Sequence, residues 1–324
     1  MDDGDSSPTD TLFARVRTRL QSDGSRAPLA VHHRRRRLAA LGMLAALALV
    51  VGIVIGASSG GGGQAVRKVA SVGGYLSRIK ALAGGGAGSF VAAEQTAENT
   101  AITRTLAYAP AVRMAGGQHR ELALTFDDGP GPYTPQVLSV LERLHVPATF
   151  FEVGVEEKYF QASTAKIVAR GYPIGDHTET HAPMSHLSPK LQQQQLLQQT
   201  AAIGDLGAPF PRMFRPPYGL WDNATLALLK RYRMLMVLWT VDTNDWQVPG
   251  VQAIVDSAVD AAKPGAIILL HDAGGNRTET IEALSQIVRI LRRRGYKLVT
   301  VPRLLLDNPA PKEQDIGSLQ GAGG

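Results

Sequence analysis

From residue 119 to residue 306 short apolar runs alternate with longer amphipathic stretches. The short runs at 122–126, 148–153, 173–175, 213–214, 235–241, 266–270 and 297–300 have strand lengths. The stretches at 134–144, 162–170, 189–204, 223–232, 251–262 and 278–294 carry helical spacing between them. A strand that is followed each time by a helix pairs with the next strand in parallel, because a parallel neighbour needs a long crossover. The alternation predicts an α/β fold, and its seven strands point to a barrel rather than an open sheet. Barrels of this kind keep their chemistry at the C-terminal ends of the strands.

That rule selects residues. Asp127 and Asp128 follow the first run, Asp176, His177 and His181 the third, and Arg215 the fourth. Asp242 and Asp245 follow the fifth, and His271 and Asp272 the sixth. Each has a plain structural reading beside the functional one. Asp127-Asp128-Gly129-Pro130 is turn chemistry, although two adjacent carboxylates after a buried strand exceed what a turn needs. His177 and His181 stand four apart, as metal ligands on a helical turn do or as surface histidines do. The H-E-x-x-H pattern of zinc proteases is excluded, since Thr178 stands where its Glu would be. Arg215 is an ion-pair candidate. Pro216 and Pro217 after it lack backbone donors, which makes the Tyr218 amide the first free N–H and a candidate oxyanion donor. Trp246 is read as core or as a sugar-facing wall, and His271 as a core histidine or a strand-end acid. His119, His145 and His186 are read as structural or surface.

The chain has no cysteine, which excludes disulfides, thiolate metal sites and a cysteine nucleophile. A metal here must use His and carboxylate ligands. The net charge of +6 divides into +3 over 1–37, +4 over 58–118 and −1 over 119–324. The basic excess lies outside the patterned region, so no nucleic-acid partner is expected. Arg34–Arg37 instead precede twenty uncharged residues, 38–57. At about 1.5 Å per residue these span a bilayer, with the arginines on the cytoplasmic side. An uncleaved signal anchor is the favoured reading, and a cleaved signal peptide the rival. The expected organisation is a cytoplasmic tail at 1–37, a transmembrane anchor at 38–57 and a flexible Gly/Ala-rich linker at 58–118 with a helix near 91–101. A catalytic domain at 119–306 and a disordered tail at 307–324 complete it.

Five ordered segments now carry a family likeness. TFDDGP at 125–130, HTETH at 177–181, RPPYG at 215–219, DTNDW at 242–246 and LLHD at 269–272 resemble the motifs of polysaccharide deacetylases (carbohydrate esterase family 4, the NodB-homology domain). The resemblance implies a distorted (β/α)7 barrel and a divalent metal, usually zinc, sometimes cobalt or another ion. It implies Asp128, His177 and His181 as metal ligands, Asp127 as general base and His271 as general acid tuned by Asp245. Arg215 would orient Asp127, and the Tyr218 backbone N–H would meet the oxyanion. Pro217, Tyr218, Trp246 and Leu270 would contact substrate, and Asp242 would support the site from behind. The activity implied is hydrolysis of linear amides: removal of N-acetyl groups from a peptidoglycan-like or other N-acetylglucosamine-containing envelope glycan. The alternatives are an O-acetyl polysaccharide esterase and a non-catalytic glycan-binding anchor. The expected protein is a single-pass, cell-membrane monomer with its domain outside, or a secreted one if the apolar segment is cleaved.

Overall fold

The computed structural model describes residues 87–317. The apolar segment 38–57 and the stretch 1–37 read as a cytoplasmic tail lie outside them. Among the described residues no helix is long and apolar enough to cross a membrane.

The chain begins with helix α1 (Ala87–Leu106) and strand β1 (Ala111–Val112), then β2 (Glu121–Asp127) and α2 (Thr134–Leu144). Next come β3 (Thr149–Glu152), the short α3 (Gly154–Glu157), α4 (Gln161–Ala169), β4 (Ile174–Asp176) and α5 (Pro189–Asp205). The pattern continues through β5 (Met213–Phe214), α6 (Asn223–Tyr232), β6 (Leu235–Val237), β7 (Val241–Asp242) and α7 (Val251–Asp260). It closes with β8 (Ile267–His271), α8 (Thr278–Arg293), β9 (Lys297–Leu298) and α9 (Val301–Asp307).

The strands run in the order β1-β6-β5-β4-β3-β2-β8-β7, with β9 against the start of β2, and every pairing between them is parallel. This curled parallel sheet fits the expected (β/α)7 barrel. Along β2 the alternation of side chains decides what each residue does. Leu122, Leu124 and Phe126 belong to the core that also holds Leu138 and Leu141 of α2 and Ile287 of α8. Ala123 belongs to a second core with Phe151, Phe214, Ile267 and Leu269, and the alternation puts Thr125 and Asp127 on its face. A strand buried on both faces reads as a continuous apolar run, which is why β2 and β8 were legible.

The single run expected at 235–241 is two strands. Its first part pairs with β5, Met213 opposite Leu235, and its second with β8, Val241 opposite Ile268. One bent segment thus joins the two sides of the barrel. The bend leaves carbonyls without strand partners, and arginines take them. Arg215 Nε donates to Val237 O at 2.9 Å and Nη2 to Leu238 O at 3.3 Å, while Arg113 Nε donates to Trp239 O at 3.2 Å.

Both expected domain edges move outward. The helix placed near 91–101 runs from Ala87 to Leu106 and packs on α9. Ala101, Ile102 and Thr105 are buried, and β1 is a strand of the sheet. The domain therefore starts within the stretch read as linker, which ends before 118. The helix α9 was not expected, although Thr300 caps it and Pro302 occupies its first turn, the usual start signal. Part of the tail placed at 307–324 is also ordered. Asn308 is buried and accepts from His119 N, and Gln314 accepts from Arg113 N at 2.8 Å.

A candidate metal-assisted hydrolytic site

The C-terminal strand ends surround a cavity of about 430 Å³ lined by Asp127, Asp128, His177, His181, Asp242 and His271, among others. β2 delivers Asp127, and the turn after it turns Asp128 inward at φ 70°. Thr178, His181 and Tyr218 also adopt left-handed backbone, at φ 71°, 55° and 59°. Side chains rarely accept this region, and Asp128, His181 and Tyr218 hold it where they line the cavity. Gly274 completes the rim at φ +73°: a Cβ there would sit 2.3 Å from Asp128 Oδ2.

Asp128, His177 and His181 bring their ligand atoms within 4.8 Å of one another. Asp128 Oδ1 lies 3.5 Å from His177 Nε2 and 3.1 Å from His181 Nε2. The His177 Nδ1 meets the Arg215 backbone carbonyl at 2.7 Å. A carbonyl only accepts, so Nδ1 carries the proton, and Nε2 is the nitrogen that faces the carboxylate. Asp128 Oδ1 is buried without a hydrogen-bond donor. Lone pairs converging on one point repel unless a cation or added protons sit among them, and the donor set of two imidazoles and one carboxylate suits a divalent ion with open positions. Where protons rather than a cation fill that point, burial opposes ionisation of Asp128, but the facing N–H groups of His177 and His181 and the nearby His271 hold it well below the usual carboxylate range.

Asp127 is buried beside this group. Arg215 Nη1 donates to its Oδ1 at 2.7 Å, and its Oδ2 lies 3.8 Å from His177 Nε2. The guanidinium, fully buried, also donates to Thr125 Oγ1 at 2.8 Å and stacks on Phe151. The register of β2 and β8 sets Asp127 directly across from His271. His271 Nδ1 contacts Asp245 Oδ1 at 2.7 Å, and the backbone N–H of His271 donates to Oδ2. Burial pulls the His271 pKa down, but the charges of Asp245, Asp128 and Asp127 outweigh it and raise it to about 9. Asp245 shows the counterpart: burial raises its pKa, and His271 brings it below the ordinary value.

Two expected substrate contacts are displaced by one residue. Leu270 is packed in the outer core among α7 and α8, and Leu269 lines the cavity instead. Alternation requires this, because His271 and Leu269 share a strand face and Leu270 has the other. Pro217 is buried away from the cavity, and Pro216 lines it. Trp246 and Tyr218 stand at the cavity, 39% and 52% exposed. Asp242 faces the cavity, with Oδ1 accepting from Asn244 N. His119, His145 and His186 lie apart from it.

Several contributors had no motif to announce them. Thr280 Oγ1 donates to Asp245 Oδ2 at 2.8 Å, and buried Arg277 donates to the Asp245 carbonyl and to Ala273 O. Both lie at the start of α8, the element next after the LLHD strand end, where a search for helpers of Asp245 and His271 would begin. Thr134 Oγ1 donates to buried Asp272, whose pKa burial raises to about 7.

Behind the histidines lies a second set of acids. Burial raises Glu152 to about 8 and Glu157 to about 10, and raises Asp176 as well. A carboxyl whose pKa is higher folded than unfolded holds its proton better in the native state. Its contribution is complete below the unfolded value, about 4.3, and is lost as pH rises toward the folded value. The melting temperature should therefore fall between pH 5 and pH 8, by up to about 1.4 kcal/mol of stability per pH unit per proton. Glu152→Gln, which keeps an acceptor for Thr164, should flatten that decline. Parallel pH–Tm curves for the two proteins would show that Glu152 does not carry it.

Comparison with known proteins agrees with this geometry. A family model described as polysaccharide deacetylase matches residues 115–237. A chitooligosaccharide deacetylase of Bradyrhizobium sp. (strain ANU 289) is 38% identical over 198 residues, covering 57% of this chain and 90% of the relative. A peptidoglycan-N-acetylglucosamine deacetylase of Bacillus cereus is 37% identical over 187 residues, covering 57% of this chain and 87% of the relative. The crystal structure of a peptidoglycan N-acetylglucosamine deacetylase in complex with 4-naphthalen-1-yl-N-oxidanyl-benzamide superposes with a TM-score of 0.60 at 29% identity, over 64% of this chain and 97% of that one.

Proposed function

The chain belongs to the polysaccharide deacetylase family, and from that premise we propose that it removes N-acetyl groups from an N-acetylglucosamine-containing glycan of the cell envelope by metal-assisted acid–base hydrolysis. One observation carries the reading. A carboxylate with one oxygen tied to a buried arginine and a histidine tied to a buried carboxylate stand on paired strands, facing one cavity with the Asp128–His177–His181 group.

An amide is hard to hydrolyse for two reasons: resonance protects its carbonyl, and its amine leaves poorly. Asp128, His177 and His181 would hold a divalent ion such as zinc or cobalt, which would supply Lewis acidity for the carbonyl and for the attacking water. The protein does the rest. Arg215 fixes Oδ1 of Asp127, which leaves Oδ2 to accept the proton of the attacking water. The Tyr218 backbone N–H donates to the oxygen that gains charge at the carbonyl. His271, with Nδ1 engaged by Asp245, presents Nε2 to the departing nitrogen and gives it a proton. The Asp245 carboxylate at Nδ1 favours the protonated ring that this role needs. Leu269 and Trp246 wall the acetyl group, and the exposed rings of Tyr218 and Trp246 offer faces to the sugar.

The run 38–57 with Arg34–Arg37 before it supports a membrane anchor with this domain outside, where envelope glycans are met first. The names of the relatives, which specify chitooligosaccharides and peptidoglycan N-acetylglucosamine, support the substrate class. Acetate release from N-acetylated chitooligosaccharides and from peptidoglycan tests the proposal. Release is expected to stop with a chelator and to return with added Zn²⁺ or Co²⁺. Protein that frees no acetate from any N-acetylated glycan at full metal loading would overturn it.

A further inference from the structure

The two histidines of the proposed metal group are held from behind by unequal partners. His177 is buried, and its Nδ1 meets a main-chain carbonyl at 2.7 Å. A side-chain change cannot delete that acceptor. The His181 side chain is 27% exposed, and its Nδ1 meets the Tyr218 hydroxyl at 3.1 Å. The phenol ring stands edge-on to the imidazole with centroids 4.6 Å apart. To offer Nε2 to a metal, His181 must carry its proton on Nδ1. The Tyr218 oxygen is then the acceptor that fixes both tautomer and ring angle.

We infer that the Tyr218 side chain is the positioning residue for His181, and that it governs how firmly the domain retains its metal. This is a different task from that of the Tyr218 backbone N–H, and the inference rests on the metal reading above. Partners behind a ligating histidine typically change metal affinity by about 10–100-fold. His181 is partly open to water, which replaces some of a lost hydrogen bond, so the low end of that range is expected here.

The experiment reads metal affinity rather than activity. The full-length protein, kept in mild detergent, is titrated with Zn²⁺ against a chromophoric chelator. Wild type, Tyr218→Phe, His181→Ala and the double variant are compared. Tyr218→Phe should weaken Zn²⁺ binding by about tenfold and speed its loss to excess chelator. In the His181→Ala background the same change should do nothing further, because the phenol acts only through that ring. Equal affinity in wild type and Tyr218→Phe would overturn the inference alone, as would an equal decrement in both backgrounds. Wild-type protein that takes up no divalent ion would overturn the metal reading itself, and this inference with it. Because Tyr218 is half-exposed and Phe keeps the ring, folding is expected to survive, and a thermal melt of each variant checks it.

Discussion

Asp127→Asn should lower turnover by roughly 10²–10⁴-fold while the protein keeps its metal. The amide oxygen still accepts from Arg215, so the side chain stays in place, but nothing remains to take the proton of water. Asp128→Asn should behave differently, although it alters the next residue in the chain. It removes the charged member of the Asp128–His177–His181 group, so metal content and activity should fall together. Activity and bound zinc, measured side by side on both variants, separate the roles. An active Asp127→Asn protein would show that the base is elsewhere. Metal loss in Asp127→Asn with retention in Asp128→Asn would show that the assignments are reversed. The Asn variant also leaves the Arg215 guanidinium without its counter-charge, so its turnover must be read well below its own melting temperature.

Arg215→Met should cost about 3–5 kcal/mol, the usual consequence of removing one member of a buried ion pair. For a domain of this size that is a fall of roughly 10 °C in melting temperature. Methionine fills similar space but strips Asp127 of its partner and leaves the Val237 and Leu238 carbonyls bare. Arg215→Lys should recover little, since one ammonium cannot span the separate acceptors that the guanidinium fork reaches. Calorimetry on the two variants provides the check. A melting temperature within a degree or two of wild type would mean that the bend between β6 and β7 does not depend on this side chain.

How much of this was readable beforehand follows from what each signal measures. Strand-end position picked out Asp127, Asp128, His177, His181, Arg215, Asp245 and His271, which the structure gathers at or directly behind one cavity, because parallel strands bring their C-terminal ends together. The family likeness implied Leu270 at the cavity, where the structure has Leu269. The error was local: β8 is apolar on both faces, so composition does not say which leucine looks inward, and only the fixed direction of His271 does. The bend at 238–240 was invisible because its residues, Leu238-Trp239-Thr240, are ordinary strand formers. What ends the pairing there is Arg215, far away in sequence. Glu152 and Glu157 were hidden for another reason. Glu152 lies inside the run 148–153 and Glu157 beyond it, so the strand-end rule passes over both, and their burial depends on neighbours from β4 and α5 such as Asp176 and Gln199.

The clasp between the two ends of the domain bears on where the chain can be cut. Pro110 O and Val112 O accept from Met236 N and Leu238 N, so β1 covers one flank of β6. A fragment trimmed to 119–306 would keep all five motifs and lose that cover. Two backbone donors and a row of buried apolar residues, Leu235 to Val237, would become an open sheet edge, the kind of surface on which chains pair with one another. Such a fragment would be prone to self-association before any question of catalysis arose. The five motifs lie between Thr125 and Asp272, whereas a chain that keeps the edge of β6 covered must begin upstream of Ala111.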